Sequence, residues 1–295
     1  MEQYRGEQLY VPRPLGTKAL QRLGSKIGSR VPLDQTEQKL YEDLIRDAGD
    51  RVAGTRPFVE SFLAVARGTL PRMDAEVAGR VKTLSTLADK LERTPGEKLP
   101  SIHDVAGLRI VAPVTMLEQQ IAVNSLRTHF DSHAFTSREA LIIDRVASPS
   151  HGYRGIHLVV WPSGRPLEIQ FRTSLQHGWA QLMEVFGDRW GREPRYGLPL
   201  RPVNTALDTS RRHQLGLMSE LSEMIAAHEE ASQMQALLHV EVPDDAYLQA
   251  GMTAERLAAI RVQAVEANDS VLDREVQLHR VMSSLRAEIE SDESN

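Results

Sequence analysis

The sequence predicts an α/β fold of the α+β type, in which helices flank a mixed β-sheet and a helical extension follows. Apolar residues recur at helical spacing between residues 34 and 93. Short apolar runs then alternate with turns and helical pieces between residues 101 and 186, and two long amphipathic patterns follow. This order divides the chain into a basic leader, a central domain and an acidic helical extension, at residues 1–33, 34–200 and 203–295.

The composition is that of an ordinary globular chain. Hydrophobic residues make up 41% and charged residues 25% of the 295 residues. No run approaches the roughly 18 apolar residues of a membrane-spanning helix, and the N-terminus has no apolar signal core. The absence of cysteine excludes disulfides and thiolate chemistry. We therefore expect a cytoplasmic protein that has no membrane partner.

The net charge of −5 conceals a gradient along the chain. The leader carries six basic side chains against two acidic ones, whereas the segment from Val203 onward carries seven arginines against seventeen acids. A basic segment on an acidic protein is suited to nucleic acid or another polyanion. The alternative is that it covers the acidic tail or stays in solvent.

The region 34–93 is predicted to be helical. Thr36 is a candidate N-cap, and a break is predicted near Gly54 and Pro57. Further along, the segment GRVKTLSTLADKLERTP is rich in cations. At about 100° per residue, four of its side chains would fall within about 140° of one another on a helix: Lys82, Ser85, Lys90 and Arg93. Such a basic face binds phosphate oxygens, although a solvated helix surface has the same pattern.

The central region alternates strands with a helix. Strands are predicted for LRIVAPV, EALIIDRVAS, GIHLVVW and PLEIQF, and a helix for TMLEQQIAVNSLRTHF. On PLEIQF and the residue after it, Glu168, Gln170 and Arg172 alternate and therefore share one face. That face is either a solvated sheet surface or the floor of a site.

Two carboxylates lie next to predicted strands. Asp104 lies four residues before Leu108, the first residue of LRIVAPV, and Asp in such a position also serves as an ordinary turn residue. Glu168 lies on a later strand. One or two carboxylates together with phosphate oxygens are the ligands that Mg²⁺ prefers. With a cationic helix nearby, the pair predicts Mg²⁺ and a nucleoside triphosphate.

The extension is predicted to contain two long amphipathic helices, 204–238 and 253–290, separated by VEVPDDA. A helical hairpin of this kind packs on the core of its own chain or on another subunit. A second copy of the chain, in a homo-oligomer, is therefore a candidate partner for it.

Four motifs occur in a fixed order: R-x-K-x-x-S-x-x-x-x-K at 80–90, H-D-x-A-G-x-R at 103–109, G-Y-R-x-x-H at 152–157, and E-x-Q-x-R-T-x-x-x-H-x-W-A at 168–180. Over about residues 36–190 the chain resembles the synthetase domain of the RelA/SpoT-homologue family. The resemblance implies a nucleotidyltransferase-like mixed sheet. It also implies an ATP-dependent pyrophosphokinase that moves the β,γ-diphosphate of ATP onto a ribose 3′-hydroxyl with Mg²⁺.

The resemblance also implies roles for the matching residues on the ATP side. Asp104 would bind Mg²⁺, and Glu168 would share the metal or take the proton from the 3′-hydroxyl. Two arginines would flank the adenine, and the lysines would hold the phosphates. The implied ATP-binding residues are Arg80, Lys82, Ser85, Lys90 and Arg109.

On the acceptor side, Tyr153 would stack on the base, and His157 would bind the phosphates of the acceptor or orient it. The implied acceptor-binding residues are Tyr153, Arg154, His157, Gln170 and Arg172. Ser150 and His151 stand where the family often has a lysine and a small polar residue. A cation next to the acceptor is therefore missing, which leaves the identity of the acceptor open.

Three functions fit the resemblance. The first, which we expect, is synthesis of the alarmone (p)ppGpp from ATP and GDP or GTP. The second is a toxic member of the family that pyrophosphorylates the 3′ end of tRNA and blocks translation, with the basic leader on the acceptor stem. For such a toxin, the resemblance implies an antitoxin as a candidate partner of the C-terminal helices. The third is a catalytically silent nucleotide-sensing module, which ranks last because Asp104 and Glu168 are both present.

Overall fold

The computed structural model describes residues 13–70, 73–132, 137–203, 205–238 and 253–291. The helices of the described part are α1 (Thr17–Gly28), α2 (Gln35–Ala66), α3 (Leu84–Arg93), α4 (Met116–Ser132), α5 (Ser174–Trp190), α6 (Thr205–Leu238) and α7 (Ala254–Ser291). The strands are β1 (Glu76–Val81), β2 (Ala106–Ala112), β3 (Leu141–Asp144), β4 (Ile156–Val160) and β5 (Leu167–Thr173). The start of the basic leader, residues 1–12, and the VEVPDDA segment lie outside the described residues.

The five strands form one sheet in the order β1-β2-β5-β4-β3. The pairs β1–β2, β4–β5 and β3–β4 are antiparallel. The prediction of a mixed sheet flanked by helices, with a helical C-terminal extension, is confirmed. Both long helices of the extension are also confirmed, as α6 and α7.

The predicted break in the first long helix is wrong. Helix α2 continues through Pro57, because the turn around this residue buries Phe58 and Val59 and the packing outweighs the hydrogen bond that proline removes. The N-cap is Asp34 rather than Thr36. Its carboxylate accepts a hydrogen bond from the backbone N–H of Glu37, and the Glu37 side chain accepts one from the backbone N–H of Asp34.

The basic helix face predicted around residues 82–93 is also wrong. Residues 76–81 form strand β1, so Arg80 lies on a strand and Lys82 follows it; α3 begins only at Leu84. The cause is non-local, since β1 pairs along its whole length with β2. Thr83 then caps α3 by accepting a hydrogen bond from the backbone N–H of Thr86.

The chain divides into two compact units. The first contains the described residues of Met1–Pro113, Gln119–Asp144 and Gly155–Arg172. The second contains the described residues of Val114–Glu118, Arg145–Arg154 and Thr173–Asn295. The core of the first unit joins α2 and α4 to the sheet, with large buried side chains such as Phe58, Leu108, Ile110, Phe130 and Phe171. The core of the second unit is formed by α5, α6 and α7.

The described part of the basic leader includes a docked helix. Leu23 and Ile27 of α1 are buried, and two glycines let the helix approach the first unit closely. An added Cβ at Gly24 would lie 2.7 Å from Leu99 Cβ, and one at Gly28 would lie 3.0 Å from Leu91 Cβ. Helix α1 is therefore an integral part of the first unit.

A buried ionic network ties α2 to the segment before α1 and to the turn between β4 and β5. Asp47 is fully buried; it pairs with Arg165 Nη1 at 2.9 Å and with Arg51 Nε at 3.2 Å. Asp47 also accepts a hydrogen bond from the backbone N–H of Arg13 at 3.0 Å. Arg51 is buried too and donates to the carbonyl of Pro166. Removing the carboxylate would leave two guanidinium groups without their anion.

We expect Asp47→Ala to lower the free energy of unfolding by about 3–5 kcal/mol, because breaking a buried ion pair leaves an uncompensated charge. The matched control is Asp50→Ala on the same helix. Asp50 is exposed and pairs with Arg13 at 3.0 Å, so its loss is expected to change the free energy by less than about 1 kcal/mol. Urea unfolding followed by circular dichroism measures both. Equal losses for the two variants would contradict the role given to the buried network.

Candidate active site

One face of the central sheet carries the polar residues predicted for the site. In the β4–β5 register, His157 lies opposite Gln170, and Val159 lies opposite Glu168. Residues that lie opposite each other in an antiparallel pair share a face. Ile169 alternates to the other face, where it is buried. The alternation in PLEIQF thus separates the polar residues from the core, as predicted.

Glu168 is the centre of a hydrogen-bonded chain on this face. Its Oε1 lies 3.1 Å from His157 Nδ1, and its Oε2 accepts from Gln170 Nε2 at 2.7 Å. Arg172 Nη2 in turn donates to Gln170 Oε1 at 2.9 Å. Burial raises the pKa of Glu168, but His157 and Gln170 outweigh it and hold the pKa below its ordinary value. Glu168 is therefore a fixed carboxylate that stays ionised at neutral pH.

Asp104 lies in a 3-10 turn directly before β2, between two lysines. The backbone N–H of Lys82 donates to the carbonyl of Val105, which brings the residue after β1 next to this turn. Lys82 Nζ lies 2.6 Å from Asp104 Oδ2, and Lys90 Nζ lies 2.8 Å from Oδ1. Burial raises the pKa of Asp104, but the charges and hydrogen bonds of the lysines outweigh it and hold the pKa far below its usual range.

The pKa values of the two lysines are shifted in opposite directions. Burial lowers the pKa of Lys82 below its ordinary value despite the nearby Asp104. For Lys90 burial acts in the same direction, but the charge and hydrogen bond of Asp104 raise the pKa overall. The cluster thus holds two ammonium groups against one carboxylate, which is an arrangement that attracts phosphate oxygens.

Asp104 and Glu168 belong to the same electrostatic environment. The charge of Asp104 raises the pKa of Glu168, although other groups outweigh this effect, and the charge of Glu168 raises the pKa of Lys90. On β2, an added Cβ at Gly107 would lie 3.5 Å from the carbonyl oxygen of Glu168. Gly107 therefore lies against the backbone of Glu168, within ordinary contact distance.

The two arginines predicted to flank adenine lie together on neighbouring strands. The register places Arg80 opposite Gly107 and Ala78 opposite Arg109, so the two arginines are diagonal neighbours on one face of the β1–β2 pair. Ser85 is exposed in the first turn of α3, with its hydroxyl 3.1 Å from that of Thr83. The structure therefore places all five predicted ATP-binding residues in the first unit.

The predicted acceptor residues are divided between the two units. His157, Gln170 and Arg172 lie in the first unit with Glu168, and Tyr153 and Arg154 lie in the second. Tyr153 is half-buried against the core of α5, α6 and α7. The roles given to all five in acceptor binding stay predictions.

The carboxylates fit a magnesium ion that is bound mainly through a substrate. Within the described ranges, no group of three or more His, Asp or Glu side chains is placed to hold a metal by itself. Asp104 and Glu168 are the carboxylates that would hold Mg²⁺, a metal that takes one or two such ligands when phosphate oxygens and water complete its shell.

One supporting residue was not predicted from the sequence. Gln119 on α4 is fully buried, and its Nε2 donates to the carbonyl of Phe171 at 2.9 Å. It therefore supports the backbone of β5 between Gln170 and Arg172. The sequence contains one sign of this role: Gln119 lies three and four residues before Ala122 and Val123, so it shares their buried face of the helix.

No helix within the described ranges is both long enough and apolar enough to cross a bilayer.

Residues 79–184 match the family model of a region found in RelA / SpoT proteins. An uncharacterised protein of Mycobacterium tuberculosis is 30% identical over 257 residues, which are 84% of this chain and 86% of that protein. The bifunctional (p)ppGpp synthase/hydrolase RelA of the same organism is 30% identical over 151 residues, but the match covers 48% of this chain and only 19% of RelA. The crystal structure of small alarmone synthetase 1 from Bacillus subtilis bound to pppGpp aligns with a TM-score of 0.49 at 20% identity, over 68% of this chain and 99% of that one.

Proposed function

We propose that this chain, which belongs to the RelA/SpoT family, is a pyrophosphokinase that moves the β,γ-diphosphate of ATP onto the 3′-hydroxyl of GDP or GTP to make (p)ppGpp. One observation carries the proposal: the Asp104 carboxylate is held between two ammonium groups, beside a second ionised carboxylate, Glu168. Transfer of a highly charged phosphoryl group depends on positioning and electrostatic stabilisation more than on covalent catalysis. The relatives that are named (p)ppGpp synthase and GTP pyrophosphokinase support the same reaction.

In the proposed reaction, the 3′-oxygen of the acceptor attacks the β-phosphorus of ATP. The bond between that phosphorus and the oxygen bridging it to the α-phosphorus breaks, and AMP leaves. Glu168 accepts the proton of the 3′-hydroxyl. His157 and Gln170 each contact one oxygen of Glu168, so they fix the orientation of the carboxylate before substrate arrives.

The ATP phosphates would meet Lys82 and Lys90. In the structure both ammonium groups are held by Asp104, and phosphate oxygens would replace this carboxylate as their partner. Arg80 and Arg109 would flank the adenine from β1 and β2. Mg²⁺ would be held by Asp104, once phosphate oxygens have replaced it on the lysines, and would neutralise charge on the phosphates; Glu168 is the base in this scheme, and holding the metal is its alternative role.

Transfer to tRNA is the second candidate, and a groove on α1 favours it. The groove has a volume of about 760 Å³ and lies between α1, the end of α3 and the loop that ends at Leu99. Lys18, Arg22 and Lys98 line it together with the acids Glu92 and Glu97. Glu92 pairs with Arg30, and no ion pair within the described ranges joins the three lining cations to an acid. By contrast, Lys26 of the same helix pairs with Glu37 at 2.5 Å. Exposed cations without acidic partners suit a nucleic-acid backbone.

The acceptor is tested by offering GDP, GTP and deacylated tRNA in parallel to the full chain with γ-³²P-ATP and Mg²⁺. We expect label in the guanine nucleotides. We also expect the triple variant Lys18→Glu, Arg22→Glu, Lys98→Glu to stay within about twofold of the wild type, because the groove is not part of the proposed nucleotide site.

A control triple variant makes the same change of charge on α2, at Lys39, Arg46 and Arg56. The opposite outcome is that the wild type labels tRNA, the groove variant labels it at least tenfold less, and the α2 variant labels it as well as the wild type. That result would identify tRNA, instead of a guanine nucleotide, as the acceptor. Label in none of the three acceptors, from a folded protein, would leave the nucleotide-sensing module. Binding of an oligomer partner or antitoxin to α6 and α7 stays a prediction.

A further inference from the structure

Helix α6 of the C-terminal extension holds the loop that carries two of the five predicted acceptor residues, Tyr153 and Arg154. We infer that α6 positions the segment Gly152–Arg154 for the acceptor through the hydrogen bond of Ser222 to Gly152 and the close packing around it. The inference rests on the proposed function, because it concerns the acceptor side of the same reaction. Ser222, Glu229 and the loop all lie within the second compact unit.

The anchor at Gly152 is a hydrogen bond and a close contact. Ser222 Oγ donates to the carbonyl of Gly152 at 2.6 Å. The φ of Gly152 is +82°, and an added Cβ would lie 2.8 Å from Trp179 Cζ2 and 3.3 Å from Ser222 Cβ. Trp179 is itself fixed, since its Nε1 donates to the carbonyl of Met218 at 2.8 Å. Glycine is therefore required here both by the left-handed backbone and by the space that α5 and α6 leave.

At the other end of the segment, Arg154 lines the same small cavity as Gln176, which contacts a buried carboxylate of α6. Glu229 of α6 is buried, and it accepts hydrogen bonds from Thr173 Oγ1 and Gln176 Nε2. Burial raises the pKa of Glu229, and the positive charge of Arg154 acts against this rise. Arg154 Nη1 also lies 3.5 Å from the carbonyl of Val146.

The space beneath the loop is filled. A cavity of only about 10 Å³ is lined by Gly152, Arg154, Gln176, Trp179, Ser222 and Ile225. This volume holds about one water molecule, so it excludes a ligand site in this position. Tyr153 is half-buried and packs against the core of α5, α6 and α7. A loop that is anchored at Gly152 and has a filled base holds its tyrosine in one arrangement, which lowers the entropy lost on binding the acceptor.

The test is Ser222→Ala in the full chain, with Ser232→Ala as the matched control. Ser232 lies on the same helix, and its hydroxyl contacts His228 instead of the loop. With GDP as the acceptor probe, we expect Ser222→Ala to raise the KM for GDP about three- to tenfold, the effect of one lost hydrogen bond, with the KM for ATP within about twofold. Ser232→Ala should leave both values unchanged.

Hydrogen exchange of residues 148–156, without nucleotide, measures the anchoring independently of activity. Faster exchange in Ser222→Ala than in Ser232→Ala is expected. Unchanged exchange together with an unchanged KM for GDP in an active enzyme would overturn the inference. If the wild type transfers no diphosphate, the proposed function is refuted. Faster exchange in Ser222→Ala than in Ser232→Ala would still support the anchoring of the loop by α6.

A second pair of variants tests the close contact. Gly152→Ala and Gly164→Ala both place alanine in a left-handed backbone, at φ of +82° and +87°. Only the Cβ at position 152 meets a neighbour closer than 4.0 Å. A larger rise in the KM for GDP for Gly152→Ala than for Gly164→Ala is expected, and equal rises would contradict the role of Trp179.

Discussion

Glu168→Gln is expected to lower the rate of diphosphate transfer by about 10²–10⁴-fold while the chain stays folded. The physical reason is that an amide cannot accept the proton of the 3′-hydroxyl, and a positioned base contributes a factor of this size. Glutamine has nearly the same shape as glutamate, and its amide oxygen still accepts a hydrogen bond from Gln170. The loss should therefore be in kcat, with the KM for ATP changed much less.

The measurement is steady-state transfer from labelled ATP, accompanied by circular dichroism to show that the variant is folded. Glu76→Gln is the matched control, because Glu76 is an exposed acid at the start of β1. It removes the same charge from the same sheet and should leave the rate within about twofold. A Glu168→Gln enzyme with a kcat within tenfold of the wild type would rule out Glu168 as the base.

Asp104→Asn is expected to lower transfer by about 10³-fold and yet to preserve or strengthen the binding of ATP in the absence of divalent metal. The loss of transfer follows from the loss of a carboxylate that would hold Mg²⁺. The unchanged or tighter metal-free binding has a separate cause. Asp104 occupies both lysine ammonium groups in the structure, at 2.6 and 2.8 Å, and its removal leaves them for phosphate oxygens.

Equilibrium binding of ATP in EDTA and turnover with Mg²⁺ are measured on the same preparation. Asp89→Asn is the control; Asp89 is an acid of α3 that pairs with Arg30 at 2.6 Å, and its replacement should change neither quantity by more than about twofold. A tenfold loss of metal-free ATP binding in Asp104→Asn would show that Asp104 does not act by competing with phosphate for the lysines.

Much of the site follows from local patterns in the sequence. The alternation of Glu168, Gln170 and Arg172 with Ile169 and Phe171 predicted which residues of β5 face away from the core, and the register with β4 confirms it. The helices α4, α6 and α7 follow from their apolar spacing. In each case the element itself contains the apolar periodicity that its packing requires.

The parts that were missed depend on contacts far apart in the chain. Strand β1 is short and lies between two helices, and it is stabilised by pairing with β2, about 30 residues later. That pairing, which no local pattern indicates, brings Lys82 to Asp104. The contact of Ser222 with Gly152 likewise joins residues 70 positions apart. The order of the motifs predicts which residues take part in the site. The distances between those residues depend on the fold and could not be predicted from the sequence.

In the proposed reaction, the β- and γ-phosphates of ATP are transferred together to the acceptor as one diphosphate. The most direct test is to incubate the full chain with Mg²⁺ and GDP, in parallel with β-³²P-ATP and γ-³²P-ATP, and to follow the acceptor product and the released adenine nucleotide. We predict that both labels enter the acceptor in equal amounts and that one AMP is released for each product formed. Transfer of the γ-label alone with release of ADP, or release of AMP with both labels in free pyrophosphate, would contradict the claim.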